Sequence, residues 1–173
     1  MIAPLLVFSL MGLALFYLQN LVVIPHVHLR LLALLLFYVG LRPSLSLAMA
    51  LALVLGLLQD CYASTPLGLH LAGSLVVVAA ARFLRHRLLL QRLGPQVLGS
   101  MAALILQEAW FQASTFILGA QGFVLTEVAT MHGLEIAGTA ALGPLMHLLV
   151  AASAKFLRRC GWRPLEHSPY QPY

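Results

Sequence analysis

Residues 44–84 read SLSLAMALALVLGLLQDCYASTPLGLHLAGSLVVVAAARFL: an apolar run, a short polar connection carrying Asp60, and a second apolar run. A membrane-spanning helix needs about 20 mostly apolar residues, with a range of roughly 17–25. The run at 67–84 meets that length, and the run at 44–58 falls a little short. Outward from this pair lie runs at 2–18 and 29–41 on one side and at 96–118 and 133–156 on the other. The 173-residue chain is 61% hydrophobic and only 9% charged. A water-soluble protein of 18.8 kDa with that composition would expose apolar patches well beyond the few hundred Å² that monomers tolerate. The expectation is an all-α integral membrane protein with six transmembrane helices in one domain, residues 1–157, and a short basic, Pro-containing tail, residues 158–173.

The basic residues suggest an orientation. Arg82, Arg85, Arg87 and Arg92 fill one connection, and Lys155, Arg158, Arg159 and Arg163 follow the last run. Two spans separate these groups, so both fall on one side, and Arg42, two spans upstream, joins them. Arg30 alone of the ten Lys/Arg residues falls opposite. Lys/Arg excess marks the cytoplasmic face, which puts both termini there. A pI of 9.8 raises nucleic acid as a partner. Basic residues flanking apolar spans point instead to anionic lipid head groups, at about 1 kcal/mol per residue near the surface. Met1–Leu10 has no basic n-region and no small-x-small cleavage site precedes Gln19, so an uncleaved first helix is expected.

The second run is the weak point. From Arg30 to Arg42 a helix rises about 18 Å, against a hydrocarbon core of about 30 Å. It spans if the arginines snorkel, if the bilayer thins, or if the helix begins before Pro25. Small residues recur every fourth position, as Ala48, Ala52 and Gly56, as Gly68 and Ala72, and as Gly133, Ala137 and Ala141. Such stripes let helices approach closely in lipid. Pro144 should kink the last run.

The connection Gly56-Leu-Leu-Gln-Asp60-Cys-Tyr-Ala-Ser64-Thr-Pro66-Leu-Gly68-Leu-His70 is the most specific segment. Read physically, it ends one helix with a carboxylate, and Pro66 starts the next helix where a missing N–H costs little. Gly68 would let the two arms touch, and Asp60 or Ser64 would satisfy the free N–H groups at the new helix start. A purely structural turn and a recognition site both fit.

At Gly56, Asp60 and Gly68 the chain resembles the rod shape-determining MreD family, with its pattern G-x-x-x-D-x-x-x-x-x-x-x-G before an apolar helix. The length, the six runs and the basic C-terminus extend the resemblance over nearly the whole chain. It implies a six-helix fold similar to the substrate-binding subunits of energy-coupling-factor transporters. It also implies a non-enzymatic scaffold of the bacterial cell-elongation and peptidoglycan-synthesis machinery in the inner membrane. An MreC-like bitopic protein would be the direct partner, with MreB-like, RodA-like and penicillin-binding proteins in a larger assembly.

The residues themselves offer little for catalysis. Asp60 is the sole aspartate, there is no H-E-x-x-H, and Ser74 and Ser100 have no base nearby in sequence. No cofactor or metal is expected; Cys61 and Cys160 sit at opposite faces, too far apart for a disulfide. Glu108 needs an account, because a charge near mid-bilayer costs roughly 2.5 kcal/mol or more. Counted from Pro95 it lies about 20 Å deep, and His147, counted back from Lys155, about 12 Å. The two would meet if the last two spans are neighbours; otherwise Gln107, Gln112 or a backbone carbonyl would hold a neutral carboxyl. The candidate structural or partner-binding residues are therefore Gly56, Asp60, Pro66, Gly68, His70, Glu108, Ala137 and His147. The alternative function is a membrane subunit capturing a small, vitamin-type solute, with an outer pocket of Asp60, His70, Glu127, His132 and Glu135.

The orientation is testable. An impermeant maleimide applied to sealed cells should label Cys61 and leave Cys160 unlabelled. Labelling of Cys160 alone would invert the topology.

Overall fold

The computed structural model describes residues 2–21, 29–42, 44–63, 66–87, 93–117 and 125–160, and among these the chain is helical with no strand. Its helices are α1 (Ile2–Leu21), α2 (Leu31–Gly40), α3 (Leu45–Tyr62), α4 (Leu69–Arg87), α5 (Leu93–Ile117), α6 (Leu125–Ala141) and α7 (Gly143–Arg159). The expected features within residues 161–173, together with Ser64, Arg92 and the Glu127 side chain, lie outside the described part.

The shortest run becomes the centre. All ten residues of α2, LLALLLFYVG, are buried, and Leu34, Leu35 and Val39 have no exposure at all. A helix that is apolar on every face must be surrounded, and α2 packs against each of the other six. Over ten residues it rises about 15 Å, half a bilayer. Snorkelling and thinning, invoked for a lipid-facing span, are not needed for a helix sheathed by protein.

Around it α3 packs on α4 and α4 on α5 most extensively, and α1 lies against α3. Ala48, Ala52 and Gly56 all face inward on α3, so this stripe is spent on packing within the bundle. The stripe on α6 is the opposite: Gly133, Ala137 and Ala141 are exposed. The outer surface is apolar, with Leu10 at 65%, Leu148 at 65% and Ile117 at 81% exposure.

Two helices, α1 from Ala3 and α3, are long and apolar enough to cross a membrane by length and composition, and a third candidate is the bent pair α6 and α7. The others fall short for visible reasons. Arginines close α4 as Arg82, Arg85 and Arg87, and Gln107, Glu108 and Gln112 interrupt α5.

The last run differs from its expectation. It begins earlier, so that residues expected in a connection up to His132 already belong to α6, and it is two helices bent by 44° at Leu142 instead of one kinked helix. Pro144 is the cause. Its ring would clash with the carbonyl four residues back, so the chain breaks before it and Pro144 takes a place in the first turn of α7, where its missing N–H is harmless.

The ends of the bundle are chemically distinct. Arg42 follows α2 and Arg158 closes α7, yet they are neighbours in space: burial, then the Arg158 charge, pulls the Arg42 pKa below its ordinary value. Asp60, Arg30 and Glu108 gather at the other end. Cys61 and Cys160 are both exposed free thiols.

Candidate functional site

Two polar constructions occupy the Arg30 end. The first is the turn between α3 and α4. Asp60, the third residue from the end of α3, is 3% exposed. Its Oδ2 accepts the backbone N–H groups of Gly68 at 2.9 Å and Leu71 at 3.2 Å, and its Oδ1 accepts that of His70 at 2.9 Å. The first turn of any helix leaves N–H groups without partners, and a carboxylate there also meets the positive end of the helix dipole. Asp60 thus caps α4 from a neighbouring helix, as a local Asp would from its own chain. His70 Nδ1 lies 3.3 Å from the same Oδ1.

The glycines divide their work differently from the sequence expectation. Gly56, not Gly68, marks the close approach: a Cβ there would sit 2.6 Å from the Cα of Leu71 and 2.6 Å from Ser74 Oγ. Nothing lies within 4 Å of a Cβ at Gly68, whose need for glycine is its φ of +96°. Ser74 Oγ, beneath Gly56, reaches the carbonyl of Leu71 at 2.7 Å and that of Ala52 at 3.0 Å, stitching α3 to α4. Pro66 is exposed and belongs to the connection; α4 starts three residues later, where Leu69 N–H donates to the Pro66 carbonyl at 3.3 Å.

The second construction is an ion cluster. Arg30, immediately before α2, places Nη2 2.6 Å from Glu108 Oε2 and 3.8 Å from Glu135 Oε2. His132 Nδ1 stands 3.3 Å from Glu135 Oε2 and 3.9 Å from Glu108 Oε1. Gln112 Nε2 donates to Glu108 Oε1 at 3.1 Å, and Thr139 Oγ1 accepts the Arg30 backbone N–H at 3.2 Å. The Phe111 ring lies 6.0 Å from the guanidinium carbon. Gln112 was among the expected partners of Glu108; His147 was the wrong one. It packs edge-on against Tyr38 with ring centroids 5.7 Å apart. Arg30 and Tyr38 are eight residues apart along α2, about 12 Å, so Glu108 and His147 lie at different levels. The break at Leu142 leaves the upper half of the pair, α6, to face Glu108.

Beside the cluster is a cavity of about 370 Å³ whose wall includes Gln19, Gln59, His70, Gln107, Phe111 and Arg30. Of the pocket residues expected, His70 lines it, Asp60 is turned away into the cap, and His132 and Glu135 sit in the ion cluster. Ala137 belongs to neither and is exposed on α6. In the sequence Arg30 stands as the exception to the charge asymmetry and as the boundary of the second run, not as a partner for Glu108; the available signal was that an isolated cation and an isolated carboxylate in apolar surroundings tend to pair. Among the described residues no His/Cys/Asp/Glu group is arranged to hold a metal ion. The carboxylates converge on the Arg30 cation. Comparison with protein-family models, curated proteins and solved structures found no match.

Two outcomes follow from this geometry. Gly56→Ala should lower folded yield and unfolding temperature more than Gly68→Ala. The first drives a methyl into backbone, and the second costs about 1–2 kcal/mol for a side chain at positive φ. Equal effects, read by thermal unfolding in detergent, would refute the division of roles. Arg30→Met should destabilise by about 3–5 kcal/mol, because it leaves buried carboxylates without a cation. Adding Glu108→Leu should restore part of that loss; a further loss in the double variant would show that the pair is not coupled.

Proposed function

We propose that the chain is a multi-pass scaffold of the bacterial inner membrane, related to the MreD family, that binds an MreC-like bitopic protein within the cell-elongation machinery. The observation that carries the reading is the turn. The three residues on which the resemblance rests, Gly56, Asp60 and Gly68, each have a distinct and necessary part in one α3–α4 hairpin. A pattern so spaced is what this hairpin requires. In this reading the chain spans the membrane six times, with α2 carried inside the bundle and both termini in the cytoplasm. It is not an enzyme, and it contacts anionic lipids at its Arg42–Arg158 end.

The exposed stripe Gly133, Ala137 and Ala141 gives the partner's helix a face on which backbones can approach. Ala48, fully buried, is unavailable for that contact. A second reading, capture of a small solute from outside, is favoured by the cavity of about 370 Å³ at the Asp60 end.

Co-expression with an MreC-like protein and purification in mild detergent separates the two. A stable complex is expected, weakened about tenfold or more by Ala137→Leu without loss of folded protein, whereas Ala48→Leu should reduce folded protein itself. Absence of the complex, with a small molecule retained through purification, would replace the scaffold by the solute-binding subunit.

A further inference from the structure

The cavity at the Arg30 end is lined by polar atoms that the fold leaves unused. Gln107 is only 4% exposed, yet its Oε1 has no partner, and the same holds for Arg30 Nη1 and Gln19 Oε1. All three residues line the cavity, along with Leu29, Leu69 and Phe111. They come from α5, the start of α2 and α1, three separate parts of the chain. A buried polar group without a partner is costly, and native structures leave few of them unless something else satisfies them.

The chemistry of these atoms limits what fits. Arg30 is the cation of the wall, and its charge is already met by Glu108 at 2.6 Å and Glu135 at 3.8 Å on the far side. An anion entering the cavity would meet a guanidinium whose field two carboxylates offset. A cation would approach that guanidinium directly. An uncharged group that accepts from Arg30 Nη1 and donates to a glutamine carbonyl satisfies both. A glutamine carboxamide also presents its N–H₂ end after rotation, so the site can pair with either end of another amide. The volume falls within the roughly 300–1,000 Å³ of small-molecule sites, and the Phe111 ring with Leu29 and Leu69 gives an apolar surface for the rest of the molecule.

We infer that this cavity binds an uncharged amide group, held by Arg30, Gln107 and Gln19 and packed on Phe111. The amide comes either from an extended polypeptide segment or from a free solute. The inference rests on the cavity's own atoms and is independent of whether an MreC-like protein is the partner.

Calorimetric titration of the full chain in lipid nanodiscs tests it with three probes: benzamide, its isosteric anion benzoate, and N-acetyl-alanyl-alanine amide. At least one of the two amides should bind saturably at millimolar concentration or below, with benzoate about tenfold or more weaker than that amide. Tighter binding of the blocked dipeptide assigns the site to polypeptide; tighter binding of benzamide assigns it to a free solute. Gln107→Leu should weaken the binding about tenfold or more while leaving the unfolding temperature of the free protein unchanged or raised. Gln19→Leu, on a different helix, provides the same reading should the first variant not fold. Failure of both amides to saturate, benzoate binding as tightly as the better amide, or undiminished binding by the folded variants would overturn the inference, and none of these results bears on the co-purification.

Discussion

A ten-residue helix with no polar face can exist in this chain only if other helices enclose it. That constraint organises the bundle around α2. Each of the other six helices turns one side to it, and their opposite sides, rich in leucine, form the outer surface. The enclosure has one electrostatic consequence. Arg30 stands at the mouth of the enclosed helix, half inside the protein, and its charge is met by carboxylates from α5 and α6. The ion cluster is where the long α5 and the broken α6–α7 pair are tied to the centre, so the position of the polar end follows from the burial of the apolar one.

Much of this was legible from residue order. The apolar runs, their helical nature and the turn at Asp60 could be read directly, because length and composition report on them. The capping role of Asp60 was also within reach, since a carboxylate before a helix start has few other uses. Less legible was anything that depends on which helices are neighbours. Glu108 and His147 were comparable in depth only if the last run were one straight helix. The break before Pro144 and the central position of α2 put Arg30, and not His147, against Glu108. Gly68 shows the same limit at small scale. Spacing alone suggests a contact, but the contact belongs to Gly56, and Gly68 serves the backbone angle.

The second run illustrates why a spanning test can mislead. Eleven apolar residues between two arginines look like a helix too short for its bilayer, and the natural remedies all concern lipid. A helix surrounded by protein has no such mismatch. Among the described residues only α1 and α3, with the bent pair, satisfy length and composition on their own; α4 closes on three arginines, and α5 carries its polar residues where the bundle can use them. Ser74, Gln107 and Glu108 are polar positions on these two helices that face other helices, and each has a role in the turn, the cavity or the ion cluster.

The distribution of polarity along the bundle then separates two kinds of function. Among the described residues the charges at the Arg42–Arg158 end are all positive, and like-charge repulsion there calls for an environment that supplies counter-charge, as water and anionic head groups do. At the Arg30 end the charges are mixed, partly buried and paired with one another, while Arg30 Nη1 and the carbonyl oxygens of Gln19 and Gln107 remain without partners. Attraction between net charges therefore contributes little to recognition at that end, and hydrogen bonding from a confined wall contributes more. Such a wall discriminates by the loss suffered when its buried polar atoms stay unpaired, so the proposed recognition at the Arg30 end rests on hydrogen-bond matching and the proposed lipid contact at the arginine-rich end on charge.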